Sequence, residues 1–518
     1  MPPLRILLAL LILPALGHAQ TPAAGLLYVV GADTIGIERF TRTAGGVEGD
    51  IELRGQPRYR YVAPLLAGAT QGTLNFSVSG AGVTRVQIRM RGDSAIVQIS
   101  ARGQSTTQRL LSRAGAFPTI NSSIGLLELA IAPLRQRAWQ GEELLFFTAG
   151  GRTVPLTLTP IVGDSLAYSL GPQRGTAVID SAGRILRWHV PAQRLTVIRI
   201  DGVRAEGFTL HSPDYTAPAG APYSATAVTV PTPAGHILAG TFTRPLDTAR
   251  VAAVVTITGS GPQDRDEAIS VVPGYRLFRD IADTLSRRGI AVLRLDDRGV
   301  GASGGTFASA TSADFADDVR SAVTWLRARA DVDPDRIVLV GHSEGGLIAP
   351  LVAATDPRLA GIVLMAGPAQ TGRRIIEYQM RQAVDNDTSV APGARDSVYR
   401  ARMTGADSTA FREPWMRDFL AYDPLPALAQ VKMPVLILQG ATDRQVTADQ
   451  AVTILGTLRQ HGNRRVTLQV FPARNHLFLP DPDGRPGGYA ALPTTSIGPE
   501  VLGPLADWIA EQTGSPRH

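Results

Sequence analysis

Residues Ile337 to Ala354 restrict the fold more tightly than any other stretch of this chain. An apolar run, Ile337-Val338-Leu339-Val340, leads straight into Gly341-His342-Ser343-Glu344-Gly345, and the helix-like text Gly346 to Ala354 follows at once. A strand that becomes a helix over so few residues must turn sharply. Small residues two before and two after the central serine let the flanking backbones pass each other. Such a turn holds a serine hydroxyl out from the backbone, where a neighbouring base can activate it. The pattern G-x-S-x-G is short and occurs a second time as Gly301-Ala302-Ser303-Gly304-Gly305, so the surroundings must decide. The strand before Ser303 ends at Leu295 and Asp296 to Gly301 intervene, which puts Ser303 in a glycine-rich rim loop.

From Val251 onward the text alternates. Uniformly apolar strands are expected at Val251 to Thr258, Ile290 to Leu295, Arg336 to Val340, Ile362 to Ala366, Val435 to Gly440 and Val466 to Phe471. Helices are expected at Tyr275 to Arg288, Ala313 to Arg329, Thr447 to His461 and Val501 to Gln512. Strands without a polar face, separated by helices, imply a mostly parallel sheet covered on both sides, with ligands beyond the carboxyl ends of the strands. A hairpin, Ala225 to Val230 and His236 to Thr243, opens this region. Helix-like text between Gly367 and about Ala429 interrupts the alternation and reads as a lid insertion. Within it, Trp415, Met416, Phe419 and Leu420 either line an acyl pocket or pack the lid down.

The earlier part of the chain has a different pattern. Residues 1–19 have one early charge, Arg5, an apolar core from Ile6 to Leu16, and small residues at Gly17 and Ala19, the pattern of a cleavable export signal. The core is too short to span a bilayer, so the expectation is a periplasmic or extracellular protein with no stable membrane span after cleavage. Residues 20–211 read as short strands with Gly, Asp and Ser turns, an antiparallel β-rich domain that is open or curled into a partial barrel. One helix is expected within Ser122 to Arg137, and no 40-to-50-residue period suggests a propeller. Residues 212–223 form a Pro- and Ala-rich linker, and 224–518 the second domain. With no cysteine, disulfides, cysteine-bound metals and a cysteine nucleophile are excluded. The net charge of +6 is spread along the chain with no basic block, which speaks against nucleic-acid binding.

A serine nucleophile on such a sheet needs an acid and a histidine that follow it in the chain. Elimination leaves one histidine. His18 belongs to the signal, His518 is terminal, His189 and His211 precede the domain, and His236 lies in its hairpin. His342 adjoins the serine and must point elsewhere, and His461 ends a helix away from the strand tips. His476 remains, on the loop after the last strand. Asp443, just past the preceding strand, is the acid that would orient it. For the oxyanion, the donors are the backbone N–H of Glu344 at the turn and of Ser260 in Gly259-Ser260-Gly261-Pro262. Asp297 and Arg298 are expected to brace that loop by pairing with Asp264, Arg265 or Asp266. No cofactor is needed for this chemistry.

These residues resemble a known family. Gly259-Ser260-Gly261-Pro262-Gln263-Asp264-Arg265-Asp266, Asp297 to Ser303, Gly341-His342-Ser343-Glu344-Gly345-Gly346, and Tyr422-Asp423-Pro424 before Pro434-Val435-Leu436 are similar to the bacterial α/β-hydrolase serine esterases with a Gly-Ser-Gly-Pro-x-Asp-Arg-Asp oxyanion loop. The resemblance runs from Ser224 onward. It implies an α/β-hydrolase fold and hydrolysis of small-molecule carboxylic esters through an acyl-enzyme, with Ser343, Asp443 and His476 at the triad positions. Two alternatives stay open: a serine peptidase of aminopeptidase type, and an envelope lipid- or glycan-binding protein with a vestigial hydrolase domain. The partner of the β-rich domain and the oligomeric state are not encoded in any motif.

Overall fold

A computed structural model of the chain describes residues 24–515, apart from 31–32, 44–45, 55–57, 65–72, 81, 102–103, 114–115, 121–122, 136–141, 149–152, 171–172, 211–212, 247–249, 270–271, 308, 388–389 and 413. The expected export signal lies outside the described residues.

Between residues 24 and 201 the short strands join into one fifteen-stranded sheet. From Ala24–Val30 the chain meanders outward by antiparallel hairpins to the edge strand Gln104–Leu111. The return starts at the other edge, Phe117–Thr119, and works inward to Leu195–Asp201, which pairs antiparallel with Ala24–Val30 and joins the two halves. Phe117–Thr119 also lies close to Thr73–Gly80 and Gly82–Arg91, so the sheet curls back on itself. One apolar core fills the curl, drawing Leu26, Phe40, Ile88 and Trp188 from the strands and Leu127, Ile131 and Leu134 from the helix Leu127–Arg135.

That helix is shorter than its sequence suggests, and Glu38 supplies the reason. Its buried carboxylate accepts the hydroxyls of Tyr28 (2.8 Å), Tyr61 (2.7 Å) and Ser123, together with the backbone N–H groups of Ile124 (3.1 Å) and Gly125 (2.9 Å). The residues leading into the helix therefore spend their N–H groups on a side chain of the sheet. Five donors offset the desolvation of the carboxylate, although burial still pushes its pKa up.

The second sheet has eight strands: β1 (Tyr223–Pro231), β2 (Ile237–Pro245), β3 (Val251–Ile257), β4 (Ala291–Leu295), β5 (Val332–His342), β6 (Gly361–Met365), β7 (Val435–Gly440) and β8 (Val466–Phe471), in the order 1-2-4-3-5-6-7-8. The opening hairpin and the β2–β4 pair are antiparallel, and the remaining pairs are parallel. The helices that accompany this sheet include α1 (Leu277–Arg287), α2 (Ser312–Arg327), α3 (Glu344–Ala353), α4 (Gly372–Asp385), α5 (Arg395–Arg412), α6 (Pro414–Ala421), α7 (Leu425–Gln430), α8 (Ala448–Gln460) and α9 (Pro499–Thr513). Alternation along β5 explains why the apolar run of this central strand shows no polar face. Ile337 and Leu339 pack with Val319 of α2, Leu347 of α3 and Ile454 of α8, whereas Val338 and Val340 pack with Phe278 of α1 and Leu505 of α9. The stretch between β6 and β7 is the helical insertion α4 to α7.

Trp188 anchors the first core, fully buried and stacked on Tyr168 at 4.0 Å between ring centroids. Trp188→Ala should destabilise that domain by about 3–5 kcal/mol. The check is urea unfolding followed by far-UV circular dichroism, where an unshifted midpoint would contradict the packing.

Candidate active site

Ser343 stands between the last residue of β5 and the first of α3 with φ 52° and ψ −116°. A non-glycine residue in this region costs roughly 1–3 kcal/mol and needs a rigid setting to persist. The setting is central: Ser343 N–H donates to Met365 O of β6 (2.9 Å), and its own carbonyl accepts from Gly346 (2.8 Å). Ser303 sits differently. Its hydroxyl donates to Asp296 O (2.8 Å) and accepts from Ala239 N–H (2.8 Å), so it ties its loop to β2.

The loop after β3 presses on the serine. A Cβ on Gly259 would lie 3.2 Å from Ser343 Cβ and 2.8 Å from Glu267 Oε1, so only glycine lets this backbone pass so near Ser343. Gly259 N–H is already spent on Glu267 Oε1 (2.8 Å). Among the described residues the N–H groups of Ser260 and Glu344 have no backbone acceptor.

On the far side, β7 and β8 deliver Asp443 and His476. His476 Nδ1 lies 2.8 Å from Asp443 Oδ2, and both residues are buried. Asp443 is fixed by three further donors, the backbone N–H groups of Gln445 (2.7 Å) and Val446 (3.0 Å) on Oδ1 and the Gln439 amide (3.1 Å) on Oδ2. Asn475 shapes the histidine loop by accepting Leu477 N–H (2.9 Å) and Leu479 N–H (3.1 Å). Among the described residues no hydrogen bond joins Ser343 to the His476 ring; such bonds commonly tighten only when substrate is bound. The residue before Ser343 does reach the histidine loop: His342 Nε2 lies 2.9 Å from His476 O and the two rings are 5.0 Å apart.

His342 turns to other partners, as expected: it is buried, with Nδ1 2.8 Å from Glu267 Oε1, and it links the loop after β3 to the histidine loop. The expected brace of the Gly259–Pro262 loop needs correction. Arg298 does not brace the oxyanion loop. It turns to α2, with Nε 2.7 Å from Asp318 Oδ2, and Asp318 also meets His236 at 3.0 Å. The brace is instead Asp296, which takes both Nε (3.0 Å) and Nη2 (2.7 Å) of Arg265, while Asp297 accepts Thr258 Oγ1 (2.7 Å) and Gln263 N–H (3.0 Å). Consecutive residues after β4 point in different directions, which adjacency in sequence cannot reveal.

Glu344 reaches the insertion. Its carboxylate accepts the Ser312 hydroxyl (2.6 Å) and the Trp415 indole N–H (2.9 Å), and Trp415 stacks on Phe419 at 5.2 Å. Burial pushes the Glu344 pKa up, opposed by these donors and by the Ser260 hydroxyl. Glu267 carried no motif, since it acts on residues brought near by the fold, and Gln439 and Asn475, which act within four residues of themselves, carried none either.

Residues 271–427 match the family model for serine aminopeptidase, S33, and residues 390–491 match that of the prolyl oligopeptidase family. The chain is similar to Esterase EstD of Thermotoga maritima, 26% identical over 281 residues, 53% of this chain and 66% of that protein. It is also similar to Dipeptidyl aminopeptidase BIII of Pseudoxanthomonas mexicana, 28% identical over 236 residues, 43% of this chain and 30% of that protein. The matched part thus spans less than two-thirds of either relative. The esterase Pf2001 of Pyrococcus furiosus superposes with a TM-score of 0.40 at 17% identity, over 58% of this chain and 95% of that one. Both family matches fall on the second sheet and its helices, whose strand order and elbow are those of an α/β-hydrolase fold.

Trp415→Phe keeps the stacked ring and removes the N–H that meets Glu344. Loss of a bond to a carboxylate of about 1.5–3 kcal/mol should speed limited proteolysis of residues 367–429 by about tenfold or more. Equal cleavage rates in the two proteins would show that this contact does not hold the insertion in place.

Proposed function

We propose that the protein is an exported serine hydrolase that cleaves carboxylic esters of small molecules through an acyl-enzyme intermediate. Ser343 attacks the carbonyl. His476 takes its proton and returns it to the leaving alcohol, and Asp443 holds the imidazole in the tautomer that can do so. The backbone N–H groups of Ser260 and Glu344 receive the oxyanion. The observation that carries the reading is the Asp443–His476 bond of 2.8 Å on a loop that His342 ties to the elbow, with Ser343 in strained backbone next to His342 in the chain. Further support comes from the similarity to an esterase and from the apolar side chains of Leu238, Ile257, Phe315 and Ile348 in the wall of a pocket beside the elbow. Export follows from the composition of residues 1–19, and a mature protein beginning at Gln20 would be seen by mass spectrometry.

A peptidase of the same fold is the second reading. The carboxylates of Asp297 and Glu344 line the same pocket, which suits a substrate ammonium group, and the family models and one relative are peptidases by name.

Ser343→Ala should abolish turnover, and Asp443→Asn should lower kcat by roughly 10³–10⁴-fold with the fold intact. The substrate test compares p-nitrophenyl acyl esters with aminoacyl anilides: preferential cleavage of the esters is expected. Faster release from the anilides would transfer the assignment to the peptidase, and full activity in Ser343→Ala would remove the serine mechanism altogether.

A further inference from the structure

The ring of His342 makes two contacts that cannot both be satisfied by a neutral imidazole facing a carboxylate. Nε2 lies 2.9 Å from the carbonyl oxygen of His476, an atom that only accepts, so Nε2 must carry a proton. Nδ1 lies 2.8 Å from Glu267 Oε1, which already accepts the N–H of Gly259. With Nε2 protonated, a neutral ring would turn the Nδ1 lone pair toward a carboxylate oxygen. The contact therefore requires one further proton between Nδ1 and Oε1. Both side chains are buried, Glu267 at 1% and His342 at 2% exposure, and Glu267 holds its place in a backbone with φ 54°.

We propose that Glu267 and His342 form a protonated clamp, a positioning pair that fixes the main chain of His476 and the oxyanion loop at Gly259 against the elbow. The proposal rests on the reading of Ser343 and His476 given above, and it adds residues that none of the similarities assign. The clamp ties the two loops that must each lie near the substrate carbonyl: Glu267 holds Gly259, His342 holds the carbonyl of His476, and the proton between them joins the halves. When the shared proton is lost, leaving a neutral imidazole beside the Glu267 carboxylate, one of the two bonds is lost, and the loops are free to shift by fractions of an ångström, which is enough to reduce catalysis.

The groups around the pair set the pH at which this happens. Burial alone pulls the pKa of His342 down. The charge of Glu267, the hydrogen bond to it, the bond to His476 O and the charge of Asp443 outweigh burial and raise it above the ordinary histidine value. Glu267 faces the buried hydroxyl of Tyr275 and the carboxylate of Asp297, and the His476 ring is 5.0 Å from that of His342. The sign follows. The clamp is intact at low and neutral pH and is lost as pH rises through the elevated value.

The test uses the full chain and two readouts, the pH dependence of kcat and KM on a p-nitrophenyl ester and the rate at which a fluorophosphonate labels Ser343. The unaltered protein should lose both activities reversibly at alkaline pH. His342→Gln should lower kcat and the labelling rate by roughly 100-fold at neutral pH, with KM within about threefold, and should abolish the alkaline decline. Glu267→Gln should shift that decline to lower pH, since the carboxylate that retains the proton is gone. In parallel, protein labelled with ¹⁵N-histidine should show a downfield ring N–H proton that disappears with the same midpoint as activity. That signal does not depend on catalysis, so it is read even if His342→Gln fails to fold or if esters prove to be the wrong substrate. The proposal is overturned if His342→Gln keeps kcat and the alkaline decline within twofold of the unaltered protein, or if the ring proton of His342 is absent at neutral pH.

Discussion

Where β5 becomes α3, two backbones come closer than any side chain permits, and the geometry around Ser343 depends on that approach. A Cβ on Gly345 would lie 2.1 Å from the carbonyl oxygen of Ile257, at the end of β3. The strained turn at Ser343 can therefore persist only because α3 starts directly on top of the neighbouring strand. That contact also dictates where the next residues of β3 go. Thr258 and Gly259 must leave the sheet over the elbow, which brings the loop from Gly259 to Pro262 against the serine. Ser343 and the Gly259–Pro262 loop thus share one steric constraint, and strain at one is offset by packing of the other.

Charge then fixes what sterics brings together. Arg265, buried beneath the oxyanion loop, is taken by Asp296 from β4 and by Thr241 Oγ1 (3.0 Å) from β2. The Tyr215 ring covers its guanidinium at 4.3 Å, and the Tyr215 hydroxyl donates to Asp264 (3.0 Å). A residue of the segment between the two sheets is therefore packed against the base of that loop. Buried ion pairs of this kind add little net stability, because desolvation consumes much of the Coulombic gain. Their effect here is directional: each carboxylate has one arrangement that satisfies all its donors, so the loop has one position.

Legibility in the sequence followed the range of the interactions. The strands and helices of the second sheet, and the nearness of Asp443 and His476, could be read because each is set by its own strand or by the strand it follows. The failures are of another kind. The partners of Asp297 and Arg298 were inferred from sequence neighbours, but residues leaving a strand fan out, and Arg298 reached α2 instead. That His342 must point away from the serine could be read, but its two acceptors, Glu267 and His476, could not, because they belong to loops far from it in the chain. In the first region the hairpins are local and visible. The pairing of Ala24–Val30 with Leu195–Asp201, which makes one sheet of two meanders, joins residues about as far apart as that region allows, and no local pattern marks it.

The residues flanking Ser343 give the elbow a second function. At such a turn neighbouring side chains diverge, and here they end on opposite sides of the same loop. His342 reaches Glu267, which holds the N–H of Gly259, while Glu344 accepts the hydroxyl of Ser260 together with Ser312 and Trp415. The distance between the two backbone N–H groups assigned to the oxyanion is then set by side chains that themselves originate at the elbow. An error in the position of Ser343 would move the donors with it, so the elements that must agree to within fractions of an ångström are referred to one short segment instead of being positioned independently. The insertion from α4 to α7 joins this arrangement through the Trp415 indole bond to Glu344 and the nearby charge of Asp418, which makes Glu344 a point at which a change in the insertion reaches the Gly259–Pro262 loop.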